Sequence, residues 1–109
     1  MPHINIKTNK EITKEKEILI KEKLGEAISI IGKNESWLMI EFNSKCTMYF
    51  GGSDDDCAYI EVKIFGSRTY DEFTRVLTDL ISNELNISSD HIYIGYFETN
   101  NWGFNGSNL

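Results

Sequence analysis

The feature that most constrains this chain is a pattern of elements that occurs twice. Residues 2–50 and 57–104 each consist of a strand, an amphipathic helix, a second strand and a short extended piece. A strand-helix-strand unit is a right-handed crossover that places its two strands parallel in one sheet. Two such units predict an α/β (α+β) fold, in which a four-stranded mixed sheet carries two helices on one face.

Apolar periodicity predicts where these elements lie. Alternation of apolar and polar residues predicts strands at His3–Lys7 and Cys57–Phe65. A helical period predicts helices that begin after Thr13 and Thr69, and Thr69 with Glu72 matches a capping box. Three further strands are expected at Trp37–Phe42, Cys46–Phe50 and Ile92–Phe97. The first helix is expected to end at Ile31, before Gly32, and the second at Leu85 or Asn86.

The length predicts a single domain over residues 1–109. A chain of 109 residues with 40% hydrophobic content can build one core and is too short for two. Two helices cover only one face of the sheet, whereas the strands carry apolar or aromatic residues on both faces. Because a bare apolar face is unfavourable in water, we expect a partner subunit to cover it.

Charge and composition argue against several classes of function. A net charge of −6 disfavours nucleic acid and anionic membrane surfaces as partners. The chain opens without a basic and apolar leader and has no run of membrane-spanning length, which predicts a cytoplasmic location. We expect Cys46 and Cys57 to be reduced, and we expect no metal or cofactor. A calcium site at Asp54-Asp55-Asp56 is the alternative to a solvated turn, but the spacing of a calcium loop is absent.

Pro2 is the only proline in the chain and directly follows Met1. If Met1 is removed, the ring nitrogen of Pro2 becomes a free amine. An α-amino group has an ordinary pKa of about 7.7 to 8.0, so it can act as a general base near neutral pH. The alternative is that Pro2 merely begins a strand, where its missing N–H costs least.

Several short motifs, spread in order over nearly the whole chain, carry a family resemblance. They are Met1-Pro2, Thr8-Asn9, Gly32-Lys33, Phe50-Gly51-Gly52-Ser53, Cys57-Ala58, Ile92-Tyr93-Ile94 and Asn101-Trp102-Gly103-Phe104-Asn105-Gly106-Ser107. Together they resemble the macrophage migration inhibitory factor (MIF) family of the tautomerase superfamily. The resemblance implies a homotrimer in which three four-stranded sheets form a central barrel, with an active site at each subunit boundary.

The resemblance also implies a catalytic pair. In that family the N-terminal proline is the base and then the acid that moves a proton between the α-carbon and the oxygen of keto-enol acids. This assigns Pro2 to an isomerase of the phenylpyruvate or dopachrome tautomerase type, with a small keto or enol acid as substrate. Lys33 corresponds to the lysine that binds the substrate carboxylate and stabilises the enolate. The alternative, which Lys33 taken alone would favour, is an exposed lysine at a helix end that satisfies the last carbonyls.

Four further positions are implied as substrate-binding residues. Tyr93 matches a tyrosine that the neighbouring subunit contributes, with sheet packing as its alternative role. Phe65 stands where other members have an isoleucine whose backbone contacts the ligand. Gly95 stands where they have an asparagine, which removes a side-chain hydrogen bond. Phe104 lies near the pocket tryptophan of the family and keeps an aromatic rim.

Two other functions stay open beside the enzyme. Relatives leave cells by a leaderless route and bind receptors on immune cells, which implies a secreted, cytokine-like protein with a cell-surface receptor as partner. The other alternative is a trimeric scaffold with weak or no tautomerase activity, and Gly95 favours it.

Overall fold

The computed structural model describes all 109 residues and contains one main sheet and two α-helices. The elements are β1 (Pro2–Thr8), α1 (Lys14–Ala27), β2 (Met39–Asn43), β3 (Ala58–Phe65), α2 (Asp71–Leu85), β4 (Ile92–Thr99) and a C-terminal hairpin of β5 (Gly103–Phe104) and β6 (Ser107–Asn108). The strand order is β2-β1-β3-β4, with β1 antiparallel to β3 and the two outer pairs parallel. The predicted four-stranded mixed sheet of two crossover units is therefore confirmed.

The core lies between one face of the sheet and the two helices. Alternate residues of the central strands point into it, and the apolar stripes of α1 and α2 close over them. Neither helix is long and apolar enough to cross a membrane. The largest fully buried side chains are Ile4, Ile6, Ile20, Leu24, Ile28, Ile60, Val62, Ile64, Phe73, Leu77, Ile81 and Ile87.

The predicted start of the second helix is wrong. The helix α2 begins at Asp71, and Tyr70 occupies the cap position without a side-chain cap bond, so Thr69 does not form a capping box. The preceding loop is held instead from β4, because the backbone N–H of Arg68 and the hydroxyl of Tyr70 both donate to the Glu98 carboxylate. A tertiary contact thus overrides a local capping signal.

Two predicted strands differ from the structure. The segment Cys46–Phe50 is not a strand, because only one isolated bridge, between Phe50 and Ser53, occurs there. A strand needs a continuous ladder of hydrogen bonds, and within the single chain this segment makes only isolated ones, from the Cys46 N–H to the Thr8 carbonyl and between Phe50 and Ser53. The residues Glu35–Trp37 form a short 3-10 turn, so β2 begins at Met39 and not at Trp37.

The sheet face away from the helices is more polar than expected. On the central strands β1 and β3 this face carries hydrogen-bonding and charged side chains, so the expectation of apolar residues on both faces is wrong there. Aromatic residues lie at the margin of the face, where Tyr93 and Phe97 of β4 are 62% and 46% exposed. The polar residues at its centre are His3, Asn5, Lys7, Glu61 and Lys63.

Candidate active site

The N-terminal end of β1 opens into a surface cavity of about 370 Å³. Pro2 forms part of its wall, together with Met39 at the start of β2 and Phe104 of the C-terminal hairpin. Trp37 and Phe104 pack edge to face, with their ring centroids 5.1 Å apart. The structure thus brings two of the sequence-predicted residues, Pro2 and Phe104, into one largely apolar pocket.

Lys33 and Phe65 meet beside this pocket. Lys33 follows Gly32, whose left-handed backbone (φ 72°) ends the 3-10 turn Ile28–Ile31 after α1. The half-buried Lys33 extends its Nζ to the carbonyl oxygen of Phe65, at 3.0 Å. The end of the first helix is thereby joined to the end of β3, two segments that are distant in sequence.

The N-terminal amine lies next to the Lys33 ammonium. Burial, the neighbouring Lys33 cation and, more weakly, Arg68 lower the pKa of the Met1 amine from 8.0 to about 6. Positive charge and an apolar environment both disfavour protonation. An amine at this position is therefore mostly neutral at pH 7, as a general base must be.

Met1 itself occupies the mouth of the site. Its carbonyl oxygen accepts a backbone hydrogen bond from the N–H of Phe65, at 3.4 Å, while its amine faces Lys33. A small ligand that contacted both Lys33 and the Phe65 backbone would have to lie where Met1 lies. Removal of Met1 would therefore free both this space and the Pro2 nitrogen.

Tyr93 lies at the other end of the sheet, and Gly95 lies near its middle, where it pairs with Glu61. Pro2 pairs with Ile64, whereas Tyr93 pairs with Tyr59, five residues earlier on β3. At about 3.3 Å of rise per residue, this separates Pro2 from the level of Tyr93 by roughly 16 Å. Within one chain these residues cannot share a pocket, so Tyr93 can join a Pro2 site only on another copy.

Gly95 lies in a crowded place that the sequence did not reveal. A Cβ added there would lie 2.9 Å from the Tyr59 hydroxyl oxygen and 3.0 Å from the ring of Phe97. The phenol of Tyr59 thus covers the position that a side chain at 95 would take. Alternation along β3 puts Tyr59 on this face, but nothing in the sequence shows that its hydroxyl reaches Gly95.

Sequence reasoning also missed Trp37, Met39 and Arg68 as neighbours of the site. Trp37 lies just before the edge strand β2, and Met39 begins it. In the sequence, an aromatic residue and a methionine at such a position indicate packing against the sheet and not a ligand site. Arg68 lies in a loop without a motif. No sequence signal would have placed Arg68 near Lys33.

The aspartate-rich turn of residues 54–56 binds the segment that follows β1. The Asn9 amide donates to the backbone carbonyls of Asp54 and Asp55, at 3.3 and 3.0 Å. Lys10 pairs with Asp56 at 3.3 Å. No group of three or more His, Cys, Asp or Glu side chains is arranged to hold a metal ion.

The fold and the amine-containing pocket define a domain of the tautomerase superfamily type. More specifically, residues 1–109 match the family described as Macrophage migration inhibitory factor (MIF), and the chain belongs to this family. Structures of the family are homotrimers.

Individual relatives match over nearly their full length. The macrophage migration inhibitory factor of Meriones unguiculatus is 31% identical, with 98% of this chain and 97% of the relative covered. The crystal structure of Leishmania major MIF2 is 26% identical, covers 100% of this chain and 97% of its own, and has a TM-score of 0.91. The homologue from Prochlorococcus marinus is 29% identical, covers 97% of each chain and has a TM-score of 0.83.

Proposed function

We propose that this protein is a keto-enol tautomerase that uses the Pro2 amine, exposed by removal of Met1, as general base and then as acid. Family membership supports an isomerase in general. The observation that carries the specific mechanism is the environment at the chain start, where burial and the adjacent Lys33 cation lower the pKa of the Met1 amine to about 6. We expect the same two causes to act on a Pro2 amine. In the processed chain the amine belongs to Pro2, which is buried at the same pocket.

The chemistry is a proton transfer between carbon and oxygen. The neutral Pro2 amine removes a proton from the carbon next to the substrate carbonyl, and the resulting ammonium returns it to the enolate oxygen. Lys33 exchanges its bond to the Phe65 carbonyl for the substrate carboxylate, and its charge stabilises the enolate. The aromatic ring of a phenylpyruvate-type substrate packs against Trp37 and Phe104.

The site is completed by a second copy of the chain. Because Tyr93 lies roughly 16 Å along the sheet from Pro2, we assign it to the pocket of the neighbouring subunit in a homotrimer. Light scattering should then give three times the subunit mass of 12.6 kDa. A monomer at assay concentration would contradict a shared site.

The decisive experiment follows phenylpyruvate enolisation by ultraviolet absorbance. The native protein is compared with Pro2→Gly and with a form that retains Met1, and intact-mass spectrometry verifies each N-terminus. We expect both altered forms to lose about 10² to 10⁴ in kcat/KM, the usual contribution of a general base. Equal rates in all three forms would exclude Pro2 as the base.

A cytokine-like role is a second proposal, supported by family membership alone. It requires that the protein leave the cell and bind a cell-surface receptor. Binding of labelled protein to receptor-bearing immune cells tests it, with the Pro2→Gly form as comparison. Binding by both forms would separate signalling from catalysis, and binding by neither would contradict the role.

A further inference from the structure

Two loops beside the site exchange side-chain hydrogen bonds. Lys33, from the loop of residues 31–34, donates from Nζ to the carbonyl oxygen of Phe65, at 3.0 Å. Arg68, from the loop of residues 65–69, donates from Nε to the carbonyl oxygen of Ile31, also at 3.0 Å. Each cation therefore binds the backbone of the loop that carries the other. We call this pair of bonds the reciprocal clasp.

Arg68 is fixed at both of its ends. Its Nη1 donates to the carbonyl oxygen of Ser67 at 2.7 Å, and its backbone N–H donates to the Glu98 carboxylate at 3.1 Å. The same carboxylate accepts from the Tyr70 hydroxyl at 2.5 Å and from the Ser67 hydroxyl at 3.2 Å. A guanidinium held in this way loses little further entropy when it orders a neighbouring loop.

The Arg68 guanidinium also lies over two glycine turns. One turn contains Gly32, which precedes Lys33, and the other contains Gly66, which follows Phe65. Gly32 (φ 72°) and Gly66 (φ 90°) both have left-handed backbones. A Cβ at Gly32 would lie 3.7 Å from Nε of Arg68, and one at Gly66 would lie 3.5 Å from its Nη1. Arg68 is thus in contact with the turns that carry Lys33 and Phe65.

We propose that Arg68 is a positioning residue of this site: through its bond to the Ile31 carbonyl, the half of the reciprocal clasp that remains when Lys33 turns to a substrate carboxylate, it sets the loop that presents Lys33, and it places a second positive charge beside the N-terminal amine. This inference rests on the tautomerase proposed above. It adds a residue that acts through Lys33 and the amine, without contact to the reacting atoms.

The charge balance around the amine gives the inference a distinct pH signature. The titratable or charged groups near the amine are Lys33, Arg68, His3 on the cavity wall, and Glu98 behind the loop of residues 65–69. Loss of the Arg68 charge removes a cation and also weakens the compensation of the Glu98 anion, which keeps its hydrogen bonds from the backbone N–H of residue 68 and the hydroxyls of Tyr70 and Ser67. Both changes favour the protonated amine, so the acid limb of the rate profile moves to higher pH.

The test uses Arg68→Gln, Arg68→Lys and the control Arg75→Gln, assayed with phenylpyruvate across pH. Arg75 is exposed on α2, so the substitution Arg75→Gln removes the same charge away from the candidate site. We expect Arg68→Gln to raise KM about tenfold, the usual effect of losing a charge-assisted hydrogen bond, and to move the acid limb upward.

The other two variants separate geometry from charge. Arg68→Lys keeps the charge but cannot bind both carbonyls with a rigid fork, so KM rises while the acid limb stays. Arg75→Gln should change neither KM nor the acid limb. Native KM and native pH dependence in Arg68→Gln would overturn the inference, as would an effect confined to thermal stability.

A second measurement keeps the inference independent of catalysis. The N-terminal amine of the processed protein is titrated by NMR with isotope-labelled proline, in the native form, Arg68→Gln and Arg68→Lys. An upward shift of the amine pKa in Arg68→Gln alone supports the inference, even if no form turns over phenylpyruvate. Complete inactivity with this shift would contradict only the proposed tautomerase, and equal pKa values in all forms would contradict the role of Arg68.

Discussion

In both halves of the chain the helical segment ends at a residue with a left-handed backbone, but the residue that follows has a different role in each half. In the first half the helical segment ends at left-handed Gly32, and Lys33 follows. In the second half α2 ends at left-handed Asn86 (φ 54°), and Ile87 follows. Lys33 places a cation beside the cavity, whereas Ile87 is only 1% exposed and packs in the core. One backbone turn therefore serves a site in one half and stability in the other.

The sheet topology explains the difference. Because β1 and β3 are antiparallel, equivalent turns of the two halves lie at opposite ends of the sheet. The Lys33 end contains the amine, the cavity and Arg68. The Ile87 end leads into β4 and Tyr93, which we assign to the pocket of a neighbouring subunit. Under this assignment, the two halves of the pseudo-repeat contribute the two different sides of one proposed shared site.

The largest expected effect tests the stability side of the comparison. Ile87→Ala should lower the free energy of unfolding by about 2 to 5 kcal/mol, because it leaves a cavity in a filled core. Denaturant titration measures this change, with Ile87→Val as the matched control at about 0.5 to 1.5 kcal/mol. The KM of the folded fraction should stay native. A raised KM with normal stability would reverse the assignment of the two turns.

The next effect tests the functional side. Lys33→Ala should cost about 1.5 to 3 kcal/mol of transition-state binding for carboxylate substrates, the range for hydrogen bonds to charged groups. Steady-state kinetics with phenylpyruvate and with a neutral ketone analogue measures it, while thermal unfolding should change little. Equal losses for both substrates would contradict the carboxylate-binding role.

A smaller effect tests the crowding at β4. Gly95→Ala should destabilise the protein by about 1 to 2 kcal/mol, because the added methyl group meets the Tyr59 hydroxyl and the Phe97 ring. Tyr59→Phe removes the hydroxyl, so the double variant should recover part of the loss in a double-mutant cycle. Strict additivity of the two changes would show that Tyr59 does not limit position 95.

The smallest effect concerns the aromatic contact between the halves. Phe104→Ala removes the edge-to-face contact with Trp37 and should cost about 0.5 to 1 kcal/mol. In steady-state kinetics this loss should appear as a few-fold increase in KM for phenylpyruvate and as a smaller increase for pyruvate, which has no aromatic ring. The same change for both substrates would show that Phe104 supports the hairpin and not the substrate.

Some site residues were accessible from sequence and others were not. Pro2 was nominated by its uniqueness and position, and Lys33, Phe65 and Phe104 by a motif resemblance. The resemblance also nominated Tyr93 and Gly95, yet in one chain Tyr93 lies at the far end of the sheet from Pro2 and Gly95 lies near its middle. Their role in the site stays a prediction that depends on assembly.

The sequence by itself determined the two helices, the four strands of the main sheet, the repeat and the side chains that face the core, because strand and helix periodicity are local properties of the backbone. Only the tertiary structure decided that the cap at Thr69 gives way to Glu98, that Cys46–Phe50 has no strand partner, and that Arg68 meets the Lys33 loop. These outcomes depend on strand register and on contacts between segments that are distant in sequence. No local pattern encodes such distances.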